Sequence, residues 1–248
     1  MPRAPAHAAA ELASADPDPW IGGLFGPDVQ TGSLPLDAAD PDALPPAEAA
    51  LAARFAPGRR RAFAAGRECA RRLLAALGAP VAALGTDPLR APAWPEGVVG
   101  SISHGAGLCV VAVARRGALR GLGVDVESDA PLDARLRRRV CSDEELADLA
   151  GAPDDAAGRA AKLMFSAKEA VYKCVHPLWT RPIGFRDVAL RFEPGPGAAA
   201  GRFRARALPA AEAGVAALVD AVEGAFAVRD GRVLTGATLR AAAGSGPA

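Results

Sequence analysis

The chain of 248 residues is half hydrophobic and carries a formal net charge of +1. That is enough apolar material for one large or two small packed domains, and it excludes a disordered chain, a fibrous chain and a strongly basic polyanion binder. Four cysteines without a Cys-x-x-Cys pair, and only three histidines, argue against zinc and for reduced thiols in a cytoplasmic protein.

Residues 1–20 contain Glu11, Asp16 and Asp18 and no apolar core, so they are expected to be flexible and to be neither a signal peptide nor a membrane anchor. The longest wholly apolar run elsewhere, Leu108 to Ala114, is too short to span a bilayer. Asp-Pro pairs at 16–17, 18–19 and 40–41 favour turns and extended backbone up to about residue 45. A short helix is predicted from Ala47 to Phe55. A longer one is predicted from Arg59 to Leu77, with Phe63, Ala70, Leu73, Leu74 and Leu77 on one face, Arg60, Arg67 and Arg71 toward the other, and Gly78 as its stop. Three strand-like runs follow, Val98 to Ser103, Leu108 to Arg115 and Ala118 to Glu127, and the short turns between them predict an antiparallel meander. A helix capped by Asp154 or Asp155 is expected to reach His176 before Pro177. Strands over Val188 to Phe192, Gly201 to Ala207 and within Ala225 to Leu239 flank a helix around Ala210 to Val222, and the tail from Ala241 is expected to fray.

Four groups of residues carry chemical potential. In Gly123-Val-Asp-Val-Glu127 the strand alternation turns Asp125 and Glu127 to one face, where two carboxylates suit Mg²⁺ or form a solvated polar edge. In Phe165-Ser-Ala-Lys-Glu-Ala-Val-Tyr-Lys173 the helical period puts Met164, Ala167, Val171 and Cys174 on a buried stripe. Lys168, Glu169, Tyr172, Lys173 and His176 then lie opposite, either as a functional face or as ordinary surface ion pairs. Ser101-Ile-Ser-His-Gly105 ends a strand at a glycine turn whose amides, with the Ser103 hydroxyl and the His104 imidazole, can hold a phosphate. No Gly-x-Ser-x-Gly elbow supports a serine hydrolase. The arginines at 59, 60, 61, 67, 71, 72 and 90 form a cluster whose forks match phosphate oxygens.

Taken in order, these segments resemble the 4′-phosphopantetheinyl transferase superfamily, in its long, monomeric type, which includes the siderophore-associated enterobactin-synthetase component and actinobacterial relatives. The resemblance rests on Arg-x-Phe-x-x-Gly-Arg (Arg61 to Arg67), Arg-Ala-Pro-Ala-Trp-Pro-x-Gly-Val-Val-Gly-Ser-Ile-Ser-His (Arg90 to His104), the Gly123 to Glu127 strand and the Phe165 to Lys173 helix. Many relatives have Trp where Phe165 stands. The resemblance implies an α+β fold of two pseudo-twofold-related halves, 1–118 and 119–248, each a small, mostly antiparallel sheet packed with helices, with coenzyme A between them. It implies Mg²⁺-dependent transfer of 4′-phosphopantetheine from coenzyme A to a serine of an apo carrier protein, releasing adenosine 3′,5′-bisphosphate. Asp125, Glu127 and Glu169 would surround the metal, and Lys168 and Lys173 would neutralise phosphate. Arg59, Arg67, Arg90, Ser103 and His104 would bind the nucleotide end. Glu169 is the expected base, with Glu127 the alternative, and which of Arg59, Arg60 and Arg61 faces the 3′-phosphate stays open. No nucleic acid or membrane partner is implied.

Overall fold

The computed structural model describes residues 19–241, apart from 89, 196 and 210. The expectations for the flexible lead-in, with its Asp-Pro pair at 16–17, and for the frayed tail beyond 241 lie outside the described residues. In chain order the elements are α1 (Pro19–Gly22), β1 (Val29–Pro35), α2 (Pro46–Ala52), α3 (Pro57–Ala76), β2 (Val98–Gly105), β3 (Leu108–Arg115), β4 (Leu119–Ser128) and α4 (Ala134–Val140). Then come α5 (Asp143–Asp148), α6 (Asp154–Val175), β5 (Val188–Glu193), β6 (Ala200–Ala207), α7 (Ala213–Asp220), β7 (Val222–Arg229) and β8 (Arg232–Arg240).

Two antiparallel sheets organise the chain, one of three strands in the order β1-β3-β2 and one of five in the order β4-β8-β7-β6-β5. The first packs on α3 through Leu73, Leu74, Val111 and Val113. The second packs on α6 through Ala167, Val171, Phe203 and Phe226. A third apolar cluster, with Val110, Ala112, Val124, Val126 and Leu234, joins the two sheets. Helix α3 begins with Pro57 at its first turn, where a missing N–H costs nothing, and stops at Gly78 in the left-handed region (φ 73°). There the Ala79 N–H returns to the Leu74 carbonyl at 2.8 Å.

The predicted meander is corrected in one respect. β2 and β3 form a hairpin through Ala106 and Gly107, both at positive φ, but β4 leaves them and pairs with β8. Its glycines fix what covers its face. A Cβ on Gly123 would fall 1.9 Å from the Ala170 carbonyl oxygen, and one on Gly121 would fall 2.3 Å from that of Cys174. Thus α6 rests directly on the bare backbone of β4, which is buried along most of its length and sends Leu119, Leu122, Val124 and Val126 into the third cluster. Gly123→Ala is expected to push helix and strand apart and destabilise the fold by about 3 kcal/mol, read as a lower urea midpoint.

The sequence reading also passed over β1, α4 and α5. β1 lies in a Pro- and Gly-punctuated region, and its register (Thr31 opposite Ala112) is set by β3 rather than by its own pattern. Helix α5 carries a complete capping box, in which the Ser142 hydroxyl accepts from the Glu145 N–H and the Glu145 carboxylate accepts from the Ser142 N–H.

Candidate active site

The alternation of β2 divides the Ser-Ile-Ser-His-Gly segment between two places. Ser101, Ser103 and Gly105 face β4. The Val124 N–H donates to Ser101 Oγ at 3.0 Å, the Ser103 hydroxyl donates to Asp125 Oδ1 at 2.8 Å, and a Cβ on Gly105 would meet the Val126 carbonyl oxygen at 2.3 Å. Ile102 and His104 face the other way and line a cavity of about 270 Å³ with Phe55, Arg59, Arg67 and Arg90. The expectation that Ser103 and His104 jointly cradle a phosphate at the glycine turn is therefore corrected. Ser103 is 6% exposed in the seam between the halves, with its hydroxyl committed to Asp125.

The cavity gathers the predicted basic residues, each in a different state. Arg59 is exposed and lies over the Phe55 ring at 4.6 Å. Of its neighbours, Arg60 donates to Asp42 at 2.8 Å and Arg61 is exposed, so Arg59 is the member of the triplet that lines the cavity. Arg67 was expected on the open face of its helix but is 4% exposed. Its Nε donates to the Leu84 carbonyl at 2.9 Å and its Nη2 to that of Gly85 at 3.3 Å, while its guanidinium covers the Phe63 ring. Desolvation brings its pKa down to about 10, against the pull of Glu48. Arg90 is exposed and holds a left-handed backbone (φ 68°) in the loop above. Partial burial, with Lys173 and Arg59 nearby, pushes the His104 imidazole below its usual range and favours its neutral form.

Across the seam lies the acidic cluster. Asp125, 3% exposed, accepts at Oδ1 from Ser103 and from Lys173 Nζ (2.7 Å), and at Oδ2 from the Ser166 hydroxyl (2.9 Å). Ser166 in turn bonds to Thr235 at 3.0 Å. Glu127, two residues on and on the same face, accepts from Lys162 Nζ at 3.2 Å. Glu169 is half-buried, and burial first, then the Asp125 and Glu127 charges, push its carboxyl above the usual range while Lys173 pulls it down. Glu169 therefore senses the charges of both strand carboxylates. Ser166 and Lys162 escaped the sequence reading, although Ser166 sits inside the helical motif and Lys162 lies one turn before it.

Lys168 is the second correction. It was expected on the open face of α6 beside Glu169, but it is 3% exposed, and its ammonium donates to Glu145 Oε2 (2.6 Å) and to the Val140 and Phe185 carbonyls (2.9 Å each). Burial lowers its pKa, and the Glu145 carboxylate opposes that shift. It is a strut between α4, α5 and the segment before β5, and with Glu169, Tyr172, Ile183 and Phe185 it walls a second cavity of about 200 Å³. Lys168→Met strands the buried Glu145 charge and is expected to cost about 3 kcal/mol in urea unfolding, with much of it regained in Lys168→Met/Glu145→Gln.

The donor set can be tested against a divalent cation. Among the described residues no three His, Cys, Asp or Glu side chains form a ready metal cage. Mg²⁺ does not need one, since it takes one or two carboxylates and completes its octahedron with water and substrate phosphates. Asp125 uses three of about four acceptor positions and Glu127 uses one, which leaves hard oxygen donors for such an ion. The thiols contribute nothing here. All four are unpaired and buried, with Cys69 pushed up to about 12 and Cys141 to about 11.

Two sheet-and-helix halves, with a basic cavity in one and a carboxylate cluster against it in the other, define a two-domain α+β protein suited to an elongated, phosphate-bearing ligand. The family models agree with that division. Residues 47–114 match the 4′-phosphopantetheinyl transferase N-terminal domain, and residues 121–225 match the 4′-phosphopantetheinyl transferase superfamily. The chain is 38% identical over 204 residues to 4′-phosphopantetheinyl transferase Svp of Streptomyces mobaraensis, covering 81% of this chain and 80% of the relative. It is 36% identical over 194 residues to PptT of Mycobacterium tuberculosis, covering 78% and 85%, and 40% identical over 148 residues to Npt of Nocardia iowensis, covering 60% and 66%. The chain belongs to the 4′-phosphopantetheinyl transferase superfamily.

Proposed function

We infer that this protein transfers the 4′-phosphopantetheine group of coenzyme A to a serine of an apo carrier protein, releasing adenosine 3′,5′-bisphosphate. The observation that carries this reading is strand β2, whose His104 lines the basic cavity while the adjacent Ser103 bonds to Asp125 and Lys173 of the carboxylate cluster. A ligand with a charged nucleotide end, a central pyrophosphate and a long neutral arm fits that sequence of environments. Arg59 and Arg90 take the 3′-phosphate with exposed forks, Arg67 shapes the cavity wall, and neutral His104 donates a hydrogen bond. Lys173, whose side chain is 26% exposed, meets the pyrophosphate. The arm continues into the cavity beside Glu169, Tyr172 and Phe185.

Asp125, Glu127 and Glu169 are the residues that would hold Mg²⁺, which when bound neutralises charge on the pyrophosphate. Glu169 accepts the proton of the carrier serine, since it has a raised proton affinity and makes no hydrogen bond to other described residues. The serine oxygen forms the new bond to the β-phosphorus as the bond to the bridging oxygen breaks, and the adenosine bisphosphate leaves with that electron pair. Lys168 acts by position, holding the Phe185 wall through its carbonyl.

We read the protein as a cytoplasmic monomer. Leu51 and Leu136 are the only large exposed hydrophobic residues among those described, too few for an obligate interface, and no described helix is long and apolar enough to cross a membrane. The partners fitting the reaction are acyl, peptidyl or aryl carrier domains. The test is to mix the protein with coenzyme A, Mg²⁺ and a panel of apo carrier proteins. One phosphopantetheine added to a carrier serine, abolished by chelator and restored by Mg²⁺, is expected. Release of free phosphate without a carrier mass gain would point to a Mg²⁺ phosphohydrolase instead.

A further inference from the structure

The loop that carries Arg90 to the basic cavity is closed by a single β-bridge between Thr86 and Pro92, outside any helix or sheet among the described residues. Its internal bonds are local. The Asp87 N–H donates to the Ala91 carbonyl (2.9 Å), the Ala91 N–H to Asp87 Oδ1 (2.8 Å), the Arg90 N–H to the Asp87 carbonyl (2.9 Å), and the Ala93 N–H to the Gly85 carbonyl (3.1 Å). What ties this unit to the helices is the backbone of Leu84 and Gly85. The Leu84 N–H donates to Glu48 Oε1 at 2.7 Å, and the Leu84 carbonyl accepts from Arg67 Nε. Glu48 is fully buried in the first turn of α2, and its other oxygen is held by Arg71 Nη1. One residue's donor and acceptor are thus gripped from opposite sides by α2 and α3, two residues before Thr86 enters the cavity wall.

A buried carboxylate with no ligand of its own is a weak source of stability, because its desolvation offsets much of what its partners return. Its geometry here serves a different end. We propose that Glu48, which does not itself line the cavity, is a positioning residue for coenzyme A binding, fixing the loop that presents Arg90 to the 3′-phosphate. The mechanism is preorganisation. A loop already held in its bound form loses little conformational freedom when the ligand arrives, so release of the Leu84 anchor appears as weaker binding of the charged nucleotide end. The step in which the phosphopantetheine moves lies across the seam and is untouched.

This inference rests on the placement of the 3′-phosphate by Arg90, and the experiment separates the two. KM and kcat are measured with coenzyme A and with 3′-dephospho-coenzyme A for the wild type, Glu48→Ala and Glu48→Gln. The wild type is expected to favour coenzyme A. Glu48→Ala is expected to raise KM for coenzyme A about tenfold with kcat within twofold, and to leave KM for the dephospho form nearly unchanged. Glu48→Gln keeps an oxygen for the Leu84 N–H and is expected to recover most of the loss, and it stands as the test if Glu48→Ala fails to fold. A wild type indifferent to the 3′-phosphate would sink the placement on which the proposal rests. A discriminating wild type, with variants that lose kcat equally on both substrates or keep full discrimination, would overturn the role of Glu48 itself.

Discussion

Asp125→Ala is expected to abolish measurable transfer and to lower stability on the order of 3 kcal/mol, since one change removes the acceptor for Ser103, Ser166 and Lys173 together. The Lys173 ammonium would then lie against the Ser103 hydroxyl and the Val124 carbonyl without its counter-charge. Asp125→Asn separates the two effects. The amide oxygen can still accept from a hydroxyl, so the fold is expected to survive with a smaller loss. The missing charge removes both a candidate metal oxygen and the partner of Lys173, and activity is expected to fall at least about a thousandfold. Phosphopantetheinylation rates alongside urea unfolding of the two variants check this, and a fully active Asp125→Asn would remove Asp125 from the chemistry.

Glu169→Gln is the second large effect. Glu169 has no hydrogen bond in the described fold to lose, so the substitution is expected to leave unfolding unchanged while kcat falls about a thousandfold. Its pH dependence has a definite sign. Without metal the folded carboxyl is raised, by burial first and by Asp125 and Glu127 next, and bound Mg²⁺ would pull it back down, so a base at this position loses activity on acidification as its carboxyl takes up a proton. Lys173 opposes that shift, and Lys173→Met is therefore expected to move the acid limb of kcat to higher pH while lowering the maximum. The same raised carboxyl makes a stability contribution of the opposite kind. Protonation is favoured in the folded state, so this group stabilises at low pH and that contribution disappears as pH rises through its folded value. An acid limb that persists unaltered in Glu169→Gln would assign the proton to another group, with Glu127 next in line.

The helices were legible where the apolar period and the stop signals agreed. α3 ends where Gly78 turns left-handed, and α6 runs to the residue before His176, ahead of Pro177. Strand alternation put Asp125 and Glu127 on one face, and the structure has them both on the α6 side, with Val124 and Val126 in the apolar layer. What the pattern could not carry was partnership over long sequence distance. Lys168 and Arg67 read as solvent-facing because cations are seldom buried. Each is buried here because Glu145, or the Leu84 and Gly85 carbonyls, meets it from 17 or more residues away. β4 was assigned to the wrong sheet for a related reason. A short turn argues for a hairpin, but β4 pairs instead with β8, more than a hundred residues on, while α6 covers its glycine face.

In the proposed mode of binding, coenzyme A enters at the arginine cavity and crosses the Ser103–Asp125–Lys173 seam toward Glu169. The structure also holds a larger cavity of about 570 Å³, beside Trp20, Phe25, Arg202 and Arg240, that could compete for a nucleotide. A crystal structure of the protein with coenzyme A and Mg²⁺ decides between them. The 3′-phosphate is expected against Arg59 and Arg90, the pyrophosphate at Lys173, the arm beside Tyr172 and Phe185, and Asp125, Glu127 and Glu169 would hold the ion. A nucleotide seated against Arg202 and Arg240, with the arginine cavity left to water, would contradict it.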